Sequence, residues 1–144
     1  MKMKARFLIT MLMAIMLMIS PTIIAQSTYS NYEYSVQKNT ASITFKNSSD
    51  YTMTLRIVHS FGGLYTAVSL PAHSSRTVSF SKSGTFKLKI KATKYGQSSY
   101  HDGGKFSVTC NDTEWTEGEM TFQMSSYGSG LGPSISAKEF ENDK

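Results

Sequence analysis

The side chains best suited to chemistry in this chain are three histidines, one cysteine and one tryptophan, and their spacing narrows what they can do. His59, His73 and His101 stand far apart, and none has a Cys, carboxylate or second His at a ligand spacing. A structural zinc site wants about four such ligands, so the sequence implies no metal and no cofactor. Asp50 and Asp102 are too isolated for a calcium loop, which draws on several oxygen ligands in one short segment. His101 and Asp102 are neighbours, the minimum for a base and its orienting acid. Consecutive strand residues point to opposite faces, however, so adjacency alone does not make a pair. Cys110 alternates in phase with Phe106 and Val108, which predicts a buried core thiol and not a nucleophile. No nucleophile elbow, phosphate-binding loop or dinucleotide fingerprint occurs. The residues therefore predict a protein that is not an enzyme. A hydrolase using His101 and Asp102 is the third-ranked reading.

Binding chemistry has better material. Tyr95-Gly-Gln-Ser-Ser-Tyr-His-Asp-Gly-Gly104 reads as a loop longer than a hairpin needs, with two tyrosines, a histidine and an aspartate among glycines. Aromatic faces interleaved with hydrogen-bonding groups suit carbohydrate or peptide contact, and loops on a rigid scaffold are where such residues gather. Trp115 lies in a second polar connection, Asn111 to Gly118. The candidate ligand-binding residues are Tyr95, Tyr100, His101, Asp102 and Trp115, with Trp115 expected beside the loop.

The elements that must position them are strands. Period-two alternation broken by turn residues runs through the chain. Ala41–Lys46, Tyr51–Ile57, Leu64–Leu70, Thr77–Phe80, Thr85–Ala92, Lys105–Cys110 and Glu119–Met124 all fit, with Tyr32–Val36 a weaker eighth. In the clearest of them Phe86, Leu88, Ile90 and Ala92 face one way and Lys87, Lys89 and Lys91 the other. The spacing predicts an all-β fold, an immunoglobulin-like antiparallel sandwich of about seven or eight strands. Ser125–Pro133 reads as a Gly/Ser linker. Ser136-Ala-Lys-Glu139 has capping-box spacing and predicts a short helix over 137–141, docking through Ile135 and Phe140 or fraying.

At the N-terminus, Lys2, Lys4 and Arg6 precede an apolar run ending near Ile19, then Ser20-Pro21 and Ala25 before Gln26. This is the layout of a secretory signal peptide over residues 1–25, followed by a sandwich domain over 26–124 and a linker with a helix over 125–144. The run is too short for a membrane span, so none is expected after cleavage. The leader holds three of the 15 basic residues and none of the 10 acidic ones, leaving 12 against 10. A charge so near neutral gives no warrant for nucleic-acid binding. Residues 36–108 hold 10 basic and 2 acidic residues, while 109–144 hold 2 and 7. Mutual neutralisation, with Glu114, Glu117 and Glu119 beside the lysine stripe, is the expected use of that asymmetry.

The Ile-Ala25-Gln26 junction, the Tyr- and Ser-rich strands and the closing Gly-Ser-Gly-Leu-Gly-Pro-Ser-Ile-Ser-Ala-Lys-Glu-Phe140 resemble small exported β-sandwich proteins of Bacteroides-type bacteria. The resemblance implies a periplasmic, cell-surface or secreted location and assigns no residue a role. The expected function is an exported, non-enzymatic binding or interaction module of the cell envelope, its partner a protein or carbohydrate. The alternative is an assembly subunit acting by strand addition, with Tyr32–Val36 as the mobile strand.

Overall fold

The computed structural model describes residues 39–144; the leader and Tyr32–Val36 lie outside the described residues. The strands are β1 (Ala41–Asn47), β2 (Thr52–His59), β3 (Leu64–Leu70), β4 (Ser75–Phe80), β5 (Gly84–Lys94), β6 (Gln97–Val108), β7 (Glu117–Phe122), β8 (Met124–Ser125) and β9 (Gly128–Ser129), followed by a helix, α1 (Ala137–Glu141). β3-β2-β5-β6 form one sheet and β4-β1-β7 another, with β8-β9 a small hairpin. All strand pairs are antiparallel except β1-β7, which is parallel and corrects the wholly antiparallel expectation.

The alternating apolar residues build the core as their spacing dictates. Met53, Leu55 and Ile57 from β2 are wholly buried, as are Phe45, Phe80 and Ile90. Rings from both sheets meet there, so the arrangement is sandwich-like. Phe80 of β4 lies 5.0 Å from Phe86 of β5, and Phe45 of β1 lies 6.2 Å edge-on to Phe106 of β6. Each such buried side chain contributes about 2 kcal/mol by leaving water, which is what holds the sheets face to face.

Asn47 closes β1 and is 2% exposed. Its amide donates to the carbonyls of Tyr51 (2.6 Å), Leu70 (3.1 Å) and Pro71 (3.0 Å). Its Oδ1 accepts from the Ser49 amide at 3.0 Å and the Ser49 hydroxyl at 2.7 Å. One side chain thus ties the β1-β2 connection to the end of β3, where the sequence suggests only a polar turn.

One expectation is corrected near the C-terminus and another is met. The segment after β7 is no linker: it forms β8-β9, and Leu131 within it is 2% exposed. Residues 133–135 then lie along β6, the Asp102 amide donating to Pro133 O (2.8 Å) and the Ile135 amide to Tyr100 O (2.9 Å). Gly132 permits that approach, because a Cβ there would fall 2.0 Å from the Asp102 carbonyl oxygen. Helix α1 forms where expected, with Ser136 Oγ accepting from the Glu139 amide at 3.1 Å. It docks through Phe140, 2% exposed and 5.3 Å from the Tyr100 ring. Among the described residues no helix is long and apolar enough to cross a membrane.

Candidate functional site

The expected long loop at Tyr95–Gly104 does not exist. β5 and β6 are one hairpin whose connection is Tyr95-Gly96 alone, with Lys94 opposite Gln97. Both turn residues have positive φ, 52° at Tyr95 and 75° at Gly96, the backbone of a type I′ turn that matches the twist of the strands. Glycine adopts this conformation freely; a bulky side chain does so at a cost in strain. The ring so held is 93% exposed.

Beneath Tyr95 a charged network fixes the surroundings. Lys94 Nζ lies 5.2 Å from the ring centroids of both Tyr51 and Tyr95, within cation-π range. The same ammonium is 3.6 Å from Asp50 Oδ2, and His73 Nε2 is 2.7 Å from Asp50 Oδ1. The His73 hydrogen bond first, then the Lys94 charge, hold the Asp50 carboxyl below its ordinary value of 3.8. His73 sits in its own turn at φ 53°.

A groove of about 450 Å³ opens beside this network, lined by Tyr51, Lys94, Tyr95, Gln97, Ser98 and Ser99 on one side and Met124 and Ser126 on the other. The far wall belongs to the β8-β9 hairpin, whose tip carries Tyr127 at 99% exposure. Tyr95 thus lines a cleft of hydroxyls and an amide, and Tyr127 follows the lining Ser126 at the tip of the hairpin that forms the other wall. Tyr127 was hidden in the sequence by its Gly/Ser surroundings. Its one signal is an aromatic ring among turn-forming residues.

The remaining sequence candidates do not join this group. Tyr100 is half-buried under α1, with Lys91 Nζ 5.9 Å from its centroid. His101 is 5% exposed, with Nδ1 3.2 Å from Gly132 O and Nε2 3.0 Å from Ser99 Oγ. Asp102 is exposed and closes a local turn by accepting from the Gly104 amide at 2.8 Å. His101 and Asp102 make no hydrogen bond to each other, so the base-and-acid pair that the hydrolase reading needs is absent. Trp115 is bridged to Cys110 beyond the far end of β6. Twelve strand residues separate that end from the Tyr95 turn, a distance of about 35–40 Å at strand rise. The expectation that Trp115 lies beside Tyr95 is thus corrected.

Cys110 is only part-buried and donates to Asn39 O at 3.1 Å. Among the described residues no three His, Cys, Asp or Glu side chains converge as metal ligands. The acidic residues also pair differently from expectation: Glu119 meets Lys46 at 2.7 Å, and Glu117 accepts from Trp115 Nε1 at 3.1 Å. Arg56 instead meets the C-terminal acids, reaching Glu141 at 3.2 Å and both oxygens of Asp143 at 2.8 Å.

No family model and no curated protein matches the chain.

Proposed function

We propose that this is an exported, non-enzymatic binding module of the cell envelope that holds a neutral carbohydrate chain between Tyr95 and Tyr127. The observation that carries this reading is Tyr95 itself: a bulky residue strained at φ 52° and 93% exposed, which no packing need explains. Strain of this kind gathers at functional sites, because a fold optimised for stability alone would remove it. Exposed rings stack on sugar faces, and Gln97, Ser98, Ser99 and Ser126 offer the short polar groups that hydroxyl-rich ligands bond to.

We also propose the finer fold assignment, an immunoglobulin-like arrangement. The sheet β3-β2-β5-β6 matches the order C′-C-F-G, β1 and β4 stand as B and E, and β7 takes the place beside B that strand A holds in such domains. The Asn47–Tyr51 connection and the Tyr95-Gly96 turn then correspond to the B-C and F-G loops, the end that variable domains use for binding. That correspondence is an analogy of architecture and supports the location of the site, not its ligand.

The test is a microarray of neutral oligosaccharides probed with the wild type, Tyr95→Asn, Tyr127→Ala and Trp115→Ala. Capture by the wild type and Trp115→Ala, lost in both tyrosine variants with no fall in melting temperature, is the expected result. Tyrosine variants that bind as the wild type does, or a wild type that captures nothing, would overturn the proposal.

A further inference from the structure

The outer face of the β3-β2-β5-β6 sheet carries a second feature, unconnected with the tyrosine end. Lys87 of β5 stands directly opposite Lys105 of β6 in the antiparallel register. Opposed residues on one face have Cβ atoms about 5 Å apart, and like charges so placed are destabilising unless something lies between them. Lys89, two residues along, belongs to the same face and is 8% exposed. Its ammonium donates to the main-chain carbonyls of Glu139 (2.6 Å) and Asn142, and makes no ion pair with Asp102, which stands opposite it in the register. Among the described residues no carboxylate lies within ion-pair distance of Lys87, Lys105 or Lys144.

Lys105 and Lys144 are exposed and Lys87 is half-buried, but they share one concavity. With Asp102, Gly104, Ile135, Glu139 and Asn142 they line one cleft of about 440 Å³, walled on one side by the strands and on the other by the docked C-terminal segment. Among the side chains that line the cleft, four lysines stand against two carboxylates, a side-chain excess of two positive charges. Of the two carboxylates, Asp102 already accepts from the Gly104 amide. The segment that brings the acids of 139–143 to this sheet thus leaves the Lys87-Lys105 pair uncovered, and adds a wall beside the strand face.

We propose that this cleft binds a dianionic oxyanion, a phosphate monoester or inorganic sulfate, seated between Lys87 and Lys105 with Lys89 and Lys144 beside it. A tetrahedral dianion matches the charge excess and offers each ammonium an acceptor. A single carboxylate would leave half of the excess standing. The site is separate from the tyrosine groove and stands or falls independently of it.

The test is an amide-shift titration of the whole exported chain with sodium sulfate, sodium chloride holding the ionic strength constant. Saturable shifts centred on Lys87, Gly104 and Lys105 are expected. Lys87→Gln and Lys105→Gln should each weaken binding about fivefold or more, roughly 1 kcal/mol, while Arg76→Gln on the opposite sheet changes nothing. In chloride alone both lysine variants should melt higher than the wild type, because each relieves the opposed pair. Sulfate should raise the melting temperature of the wild type but not that of Lys87→Gln/Lys105→Gln. A sugar phosphate monoester binding tighter than inorganic sulfate would place the group on a sugar, and equal affinity would make it the free ion. Shifts scattered evenly over the surface lysines, or variants binding as the wild type does, would overturn the site.

Discussion

The two ends of the sandwich both expose aromatic rings, yet they expose them in different ways. At the Trp115 end the rings are occupied by their own neighbours. Trp115 is 48% exposed with its indole N–H bonded to Glu117, and Phe61, though 87% exposed, stacks at 5.0 Å on His59. At the Tyr95 end one ring is lifted off the surface by a strained turn beside a groove, and a second stands exposed at the tip of the hairpin that walls it. Exposure alone therefore does not identify a binding surface. What distinguishes the Tyr95 end is that both rings are almost wholly exposed, Tyr95 resting on the Lys94 ammonium alone of the network, while the backbone beneath is held by Asn47 and the Asp50-Lys94 pair.

That difference can be broken from below. Asn47→Ala removes three donated and two accepted hydrogen bonds in a buried position. Leaving the Tyr51, Leu70 and Pro71 carbonyls short of a donor should cost about 3 kcal/mol of stability by denaturant unfolding, the largest effect of any single change considered. Asn47→Asp should lose nearly as much, since a carboxylate accepts but does not donate. At the Trp115 end Ser83 also bridges two connections, its Oγ accepting from the Cys110 amide at 2.7 Å and donating to the Cys110 carbonyl at 3.3 Å, but it does so with two bonds at an exposed position. Trp115→Ala should cost about 1 kcal/mol at most, its ring being half in water already.

Tyr95→Asn sharpens the comparison at the surface. Asparagine adopts positive φ more readily than tyrosine and favours a type I′ turn before glycine, so the hairpin should gain a few tenths of a kcal/mol. Ligand capture should fall about tenfold or more, the loss of one stacked ring. A variant more stable and less active than the wild type would mark position 95 as one where function outweighs local preference. Gly96→Ala, which puts a Cβ on a backbone at φ 75°, should cost about 1 kcal/mol and leave the ring chemistry intact.

The legibility of these regions differs for a physical reason. β2 and β5 could be read directly because large apolar residues alternate with Thr, Arg or Lys, and that contrast is the signal of a half-buried strand. β6 could not, because Ser98, Ser99, Gly103 and Gly104 carry no apolar contrast. Its strand form is imposed by pairing with β5 along nearly its whole length. The same small residues made Tyr95–Gly104 look like a loop and concealed the strained turn within it. The charge asymmetry was legible, but its partners were not. Acids at 139–143 reach Arg56 and the lysine face only because Leu131 and Phe140 anchor the tail there, a tertiary fact that composition does not carry. Asn47 was missed because a buried asparagine and a turn asparagine have the same sequence context.

The smallest expected effect concerns pH and acts on the Tyr95 end alone. The folded state lowers the Asp50 carboxyl below 3.8, through its hydrogen bond with His73 and then the charge of Lys94. A carboxyl depressed in the folded state contributes stability that is fully present above its unfolded value and lost as pH falls through the folded one. The wild type should therefore be slightly more stable than Asp50→Asn at neutral pH, and the gap should close as pH drops below about 4. Solvent screens so exposed a pair, so the gap should be close to the resolution of a melting experiment. Ligand capture is the more sensitive readout, because protonating Asp50 frees Lys94 from its third contact and loosens its position between Tyr51 and Tyr95. If capture falls with the same acid titration in the wild type and is already low and flat in Asp50→Asn, the network positions the rings. A profile identical in both proteins would show that the turn backbone holds Tyr95 without it.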